Sequence, residues 1–160
     1  MHTGREILSP GDCDVRALFE QIIRETPHTD ALRIEIDRCD DAPLYCDPSH
    51  VREALTNLVG NAVEAMRGSG RITLSYVRTA RKASVSVCDD GPGMTPAAQK
   101  RIFEPYYTTK TSGENFGLGL YYCQNVMNVH EGSIRVSSAP GKGCTFTLIF
   151  PLAAQGRRKP

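Results

Sequence analysis

The sequence predicts an α+β fold, a two-layer sandwich with about three helices on one face of a mixed, largely antiparallel five-stranded sheet. Three segments repeat apolar residues at helical spacing. Five others alternate apolar and polar residues as half-buried strands, and four of these are paired across short turns. Length sets the scale: 160 residues, 40% hydrophobic and 23% charged, suit one domain folding on its own core.

Residues 1–11, with Gly4, Pro10 and Gly11, read as a linker or truncated end. Asp12 or Asp14 then caps a helix over 15–25, where Val15, Leu18, Phe19, Ile22 and Ile23 fall at i, i+3, i+4, i+7 and i+8. Residues 32–37 alternate as a strand. Asp47-Pro48 opens a second helix, because proline in the first turn lacks only a donor that the helix does not use. It runs to about residue 66 and stops at Gly68-Ser69-Gly70. Residues 71–78 and 82–88 form a hairpin around a basic turn, followed by the glycine-proline turn from Asp89 to Met94 and a short helix at 96–102. The irregular stretch 103–115 has the length of a lid or binding loop. A helix at 118–129 and strands at 133–138 and 144–150, joined by Pro140-Gly141-Lys142-Gly143, complete a domain spanning 12–152. Residues 153–160 read as a flexible tail.

Nineteen basic and 18 acidic residues leave a formal charge of +1, so no global field draws nucleic acid or an anionic membrane, and neither is expected as a partner. The six cysteines are dispersed, without C-x-x-C spacing, and read as reduced thiols. The four histidines do not complete a metal site with them. No signal peptide opens the chain and no apolar run approaches about 18 residues, so a cytoplasmic location is expected.

On the helix from Asp47, the side chains of Glu53, Asn57, Asn61 and Glu64 fall within roughly 80° of one another. Val51, Leu55, Leu58, Ala62 and Met66 take the opposite, core-facing side. Neutral amide oxygens suit a magnesium ion already chelated by phosphates, although a solvated helix face shows the same pattern. Asp89-Asp90-Gly91-Pro92-Gly93 follows a strand that carries Asp89 to the end of the sheet. It is either a tight turn or a carboxylate placed to accept the amine of adenine, with Gly91 and Gly93 letting the base approach the backbone. Gly117-Leu118-Gly119-Leu120 opens a helix whose free N–H groups favour phosphate. Lys110 adds a point charge or is a surface lysine, and Gly141-Lys142-Gly143 is a hairpin loop or room for a nucleotide.

Taken in order, these motifs resemble the ATP-binding catalytic domain of two-component sensor histidine kinases, within the superfamily of gyrase, mismatch-repair and heat-shock chaperone ATPases. Asn57-Leu58-Val59-Gly60-Asn61-Ala62 resembles the N box and Asp89 to Gly93 the G1 box. Phe103 to Lys110 resembles the F box, Gly117 to Leu120 the G2 box, and Gly141-Lys142-Gly143 before Thr145-Phe146 the last glycine box. Two positions depart from the pattern, Asn115-Phe116 ahead of the G2 box and Cys144 in place of threonine.

The resemblance implies a Bergerat-type ATP-binding fold that takes ATP and Mg2+. Asn61 would bind the metal, with Asn57 supporting it, and Asp89 would read the adenine amine between Gly91 and Gly93. A lid from about residue 95 to 115, anchored by Phe103 and carrying Lys110, would close toward Gly117, Leu118 and Gly119 at the phosphates. Thr145 belongs to the same nucleotide-contacting set. Glu53 would help an incoming histidine lose its proton, or is a surface glutamate.

None of the four histidines has the setting of a phosphoacceptor. The expected partners are therefore a histidine-bearing dimerisation and phosphotransfer domain, upstream in a longer protein, and a response regulator downstream. An ATP-hydrolysing clamp would need a carboxylate where Asn57 stands, and Glu53 lies roughly 12 Å from Asn61 along the helix axis. A stand-alone serine kinase of the anti-sigma-factor type and a degenerate nucleotide-binding module remain as alternatives.

Overall fold

The computed structural model describes residues 9–105 and 119–152. In chain order the elements are β1 (Gly11–Cys13), α1 (Val15–Glu25), β2 (Leu32–Cys39), β3 (Leu44–Cys46), α2 (Pro48–Met66), β4 (Gly70–Arg78), β5 (Lys82–Asp89), α3 (Pro96–Gln99), α4 (Gly119–Val129), β6 (Ser133–Ser138) and β7 (Cys144–Pro151). Expectations for Lys110, Gly117, Leu118, Asn115-Phe116, most of the lid and the tail lie outside the described residues.

Five strands form the main sheet in the order β2-β4-β5-β7-β6. Strands β2 and β4 run parallel because α2 crosses over between them, and every other neighbouring pair is antiparallel. Alternation divides the two faces. Ile72, Leu74, Tyr76, Val85, Val87, Phe146, Leu148 and Phe150 are buried beneath the helices. Their neighbours Thr73, Ser75, Ser84, Ser86, Thr145 and Thr147 are half-buried on the far face, where the hydroxyls of Ser86 and Thr147 lie 3.1 Å apart. One dry face and one polar face make two layers, as the sequence predicts.

Helix α1 starts at Asp14, whose carboxylate accepts the N–H of Ala17 at 3.1 Å, and it buries Val15, Leu18, Phe19 and Ile22. Burying a side chain of this size contributes about 1.5–3 kcal/mol, which fixes the helix to the sheet more firmly than its cap does. Helix α2 starts at Asp47 with Pro48 in its first turn, and it buries Val51, Ala54, Leu55, Leu58, Val59, Ala62 and Met66. It ends at Met66, as the spacing predicts, but its cap differs from expectation: Arg67, with φ of 54°, takes the left-handed conformation ahead of Gly68.

Three further differences are local. β1 and β3 pair as a two-stranded antiparallel ribbon that the sequence pattern does not reveal, because three residues are too few to show alternation. Ser9, within the stretch read as a linker, is tied to the fold, its N–H donating to Asp47 Oδ2 at 2.8 Å. Helix α3 has one turn and gives way to successive turns through Glu104, since Arg101 and Glu104 bond three residues back.

Candidate nucleotide site

Asp89 is the last residue of β5 and is only 7% exposed. Strand alternation turns its side chain toward the helices, while the next residue, Asp90, is exposed and accepts the N–H of Arg71 at 3.0 Å. Two adjacent carboxylates thus receive opposite tasks: Asp90 ties the turn to β4, and Asp89 faces inward. One oxygen of Asp89 accepts the N–H of Gly91 at 2.9 Å. Burial, with a smaller push from the charge of Asp90, raises its carboxyl above the usual range despite the N–H groups of Gly91 and Cys144. Among the described residues no cation offsets the burial, so a further N–H donor would stabilise the charged form.

The glycines beside Asp89 hold the backbone close to its neighbours. A Cβ on Gly91 would lie 3.0 Å from Asp89 Oδ1 and 3.2 Å from Met66 Sδ. Gly93 has φ of +76°, and a Cβ there would strike the carbonyl of Ala139. This contact is stitched in place. Gly141 N–H donates to the Pro92 carbonyl at 2.6 Å, Met94 N–H to Ser138 Oγ at 2.8 Å, and Ser138 Oγ in turn to the Gly143 carbonyl at 2.7 Å. Gln99 Nε2 closes the group by donating to the carbonyls of Ser138 at 2.8 Å and Met94 at 3.1 Å. Ser138 and Gln99 are thus structural supports of the turn. No periodicity or motif marks them in the sequence.

Cys144 pairs with Asp89 across the ladder, and Thr145 pairs with Cys88. Pairing and alternation correct one expectation. Thr145 sits on the open face of the sheet, away from Asp89, and the residue that accompanies the carboxylate is Cys144. Burial, then the charge of Asp89, push the Cys144 thiol up to about 12, so it stands there as a neutral group.

Along α2, Glu53 and Glu64 are exposed while Asn57 and Asn61 are half-buried, the stripe that the helical spacing predicts. A hollow of about 470 Å3 opens at the C-terminal end of this helix beside Ala65, Met66, Asp90, Gly91 and Pro92, so α2 and the glycine turn form adjoining walls. Among the described residues no group of three or more His, Cys, Asp or Glu side chains gathers into a metal cage. The amide oxygens of Asn57 and Asn61 are hard donors that suit magnesium arriving with phosphate ligands of its own.

Helix α4 begins at Gly119 and packs along α2. Tyr122 Oη donates to Glu53 Oε1 at 3.1 Å, and Cys123 Sγ to the Ala54 carbonyl at 3.3 Å. Phe103, within the expected lid, packs edge-on against Phe146 at 6.5 Å between ring centroids.

The far end of α4 meets the start of α2. His130 Nε2 accepts the N–H of Asp47 at 2.9 Å while its Nδ1 lies 2.8 Å from the Val126 carbonyl, a combination that only the neutral Nδ1–H ring satisfies. Burial lowers the His130 pKa, in keeping with that state.

The family described as "Histidine kinase-, DNA gyrase B-, and HSP90-like ATPase" matches residues 46–154. The signal transduction histidine-protein kinase AtoS of Escherichia coli (strain K12) is 40% identical over 118 residues, which are 73% of this chain and 19% of AtoS. The catalytic domain of histidine kinase ThkA superposes with a TM-score of 0.76 at 25% identity, covering 90% of this chain and 98% of that one. Full-length ShkA in complex with AMPPNP superposes with a TM-score of 0.81 at 27% identity, covering 91% of this chain and 32% of ShkA. The chain spans 19% of the length of AtoS and between 16% and 36% of eight curated relatives that it matches.

Proposed function

Because the chain belongs to the histidine kinase-, DNA gyrase B- and HSP90-like ATPase family, and resembles in particular the catalytic domains of sensor histidine kinases, we propose that it binds Mg-ATP and passes the γ-phosphoryl group to a histidine on a separate helical phosphotransfer domain. In a complete two-component system a response regulator would take the phosphoryl group from that histidine. The observation that carries the proposal is Asp89, a buried carboxylate with its pKa raised, at the mouth of a glycine turn and beside the helix that carries Asn57 and Asn61.

In this reading Asp89 accepts the exocyclic amine of adenine, and the donor stabilises the charge that burial disfavours. Gly91 keeps a side chain away from the Asp89 carboxylate, and Gly93 lets the turn pack on the backbone of Ala139, so that both shape the pocket wall. Asn61 holds the metal through its amide oxygen, and Asn57 supports it one turn earlier. Magnesium, when bound with the nucleotide, draws charge from the phosphate oxygens during transfer. Gly117, Leu118 and Gly119 offer backbone N–H groups to the phosphates at the start of α4, and Lys110 adds a positive charge. Glu53, oriented by Tyr122, accepts the proton that the attacking histidine loses. Thr145 has no role in this set.

The amide at Asn57 weighs against a hydrolysing clamp, because it is a poor base for activating water at neutral pH. Calorimetry with and without magnesium tests the proposal. Asn61→Ala should abolish most of the magnesium dependence of ATP binding while retaining metal-free affinity, and an unchanged metal response would remove Asn61 from the site. With labelled ATP and a separate cognate histidine-bearing domain, acid-labile label should appear on that domain and not on this chain.

A further inference from the structure

We propose that His130 makes the junction of α2 and α4 an acid-operated clasp, closed while the imidazole is neutral and released when it takes up a proton. The bond that closes it joins residues 83 apart in the chain, the N–H of Asp47 at the start of α2 donating to His130 Nε2 at 2.9 Å. An imidazole nitrogen accepts only through its lone pair, so a proton on Nε2 sets two N–H groups against each other in place of the bond. The second nitrogen offers no alternative. Nδ1 lies 2.8 Å from the Val126 carbonyl, an acceptor that keeps the first proton on that side, so an added proton goes to Nε2. Turning the ring over does not help, because the cation carries a donor on both nitrogens.

The surroundings set how much acid is needed. Among the described residues, the titratable groups beside His130 are Asp47 and His50, both from the start of α2, and β3 ends on the Cys46 thiol just ahead of Asp47. From β7 comes only the uncharged ring of Phe150, edge-on at 5.8 Å between centroids. Helix α4 carries no charged side chain, and Arg135 of β6 is exposed on the other face of the sheet. Burial disfavours the cation most, the Val126 carbonyl and Asp47 favour it, and His50 opposes it, which leaves the His130 pKa below the ordinary histidine value. The Asp47 carboxylate is already engaged by the N–H groups of Ser9, Ser49 and His50. Beside the clasp the backbone is strained: Glu131, the next residue, has φ of 61°, a conformation that glycine fills most readily. Opening would part the start of the amide-bearing helix from the end of the helix packed along it.

The clasp is independent of the nucleotide reading, and its test uses the whole chain without nucleotide. At about pH 7, nitrogen NMR should find the Nδ1–H tautomer of His130 and a scalar coupling across the hydrogen bond from the Asp47 amide nitrogen to Nε2. On acidification that coupling should vanish. The Asp47 amide resonance should move with the same midpoint as the His130 ring, below the ordinary value of about 6.5, and its protection against hydrogen exchange should fall at least about tenfold across the step. Because the folded-state pKa is lowered, the stability that neutral His130 contributes is complete above the ordinary histidine value and is lost as pH falls through the folded value. The stability difference between wild type and His130→Gln should shrink through that same range. An Nε2–H tautomer, a midpoint at or above the ordinary value, or an Asp47 amide that ignores the titration of the ring overturns the proposal. The ring and the amide are followed in the wild-type chain, so the outcome stands whether or not His130→Gln folds.

Discussion

Asp47 and Asp89 are the two buried acidic residues among those described, yet burial has opposite outcomes for them. Asp47 Oδ1 accepts the N–H groups of Ser49 at 3.1 Å and His50 at 3.2 Å, and its Oδ2 accepts the N–H of Ser9 at 2.8 Å and lies 3.1 Å from His50 Nδ1. Burial pushes its pKa up, but these donors together pull it below the usual carboxylate value. Asp89 has the Gly91 and Cys144 N–H groups and an adjacent like charge, and its pKa stays raised. Asp47 combines more donors and the neighbouring His50 with a weaker burial effect, whereas Asp89 combines fewer donors and a like charge with a stronger one. A saturated carboxylate holds the fold together, whereas an under-donated one is where a ligand N–H gains most.

Removing each carboxylate tests this contrast. Asp47→Ala deletes the cap of α2 and strands several donors, and should cost about 2–4 kcal/mol in denaturant unfolding without changing the ratio of ATP to GTP affinity. The contrast breaks if that ratio moves. Asp89→Asn should do the reverse. The wild type should prefer ATP over GTP by about 10–100-fold, since guanine presents a carbonyl to the carboxylate, and the amide should collapse that preference with stability unchanged or slightly improved. Competition against a fluorescent nucleotide measures both affinities.

Acid titration should sharpen the comparison through the sign of each effect. The folded-state pKa of Asp47 is lowered, so its contribution is present above the ordinary carboxylate range and lost as pH falls through the folded value. The folded-state pKa of Asp89 is raised, so its favourable contribution exists below the ordinary range and is lost as pH rises through the folded value. The stability difference between wild type and Asp47→Asn should therefore change below the ordinary carboxylate value, and that between wild type and Asp89→Asn above it, with opposite slopes. ATP affinity should rise with pH across the Asp89 transition, with proton release visible as a buffer-dependent binding enthalpy. Parallel slopes would show that the two carboxylates do not differ as described.

The smallest effect belongs to a bond between less buried partners. Tyr122→Phe removes the hydroxyl that holds Glu53 and should cost about 0.5–1 kcal/mol or less in stability. Under the proposed role of Glu53 it should lower kcat for phosphotransfer with little change in nucleotide affinity. Loss of affinity instead would place Tyr122 with the binding residues.

The helical stripe of Glu53, Asn57, Asn61 and Glu64 was legible in the sequence because helical geometry depends only on spacing along one element. The same holds for the Asp47 and Asp14 caps and for Asp89 at a strand end, each of which needs only a few neighbouring residues. The β1–β3 ribbon was not legible, since each strand is three residues long and gains its identity from the other. Nor was the orientation of Thr145. Its motif placed it near the nucleotide, whereas its pairing with Cys88 puts it on the polar face.

By itself, the sequence determined the class of fold, the order of its elements and the stripe of amides on α2, all set by local periodicity and turn chemistry acting over short stretches of chain. Tertiary structure alone decided which of Asp47, Asp89 and Asp90 is saturated, under-donated or exposed. It alone placed Ser138 and Gln99 under the glycine turn and paired β1 with β3. Those outcomes depend on donors and neighbours supplied by residues distant along the chain, and so they exist only once the sheet and the helices have packed.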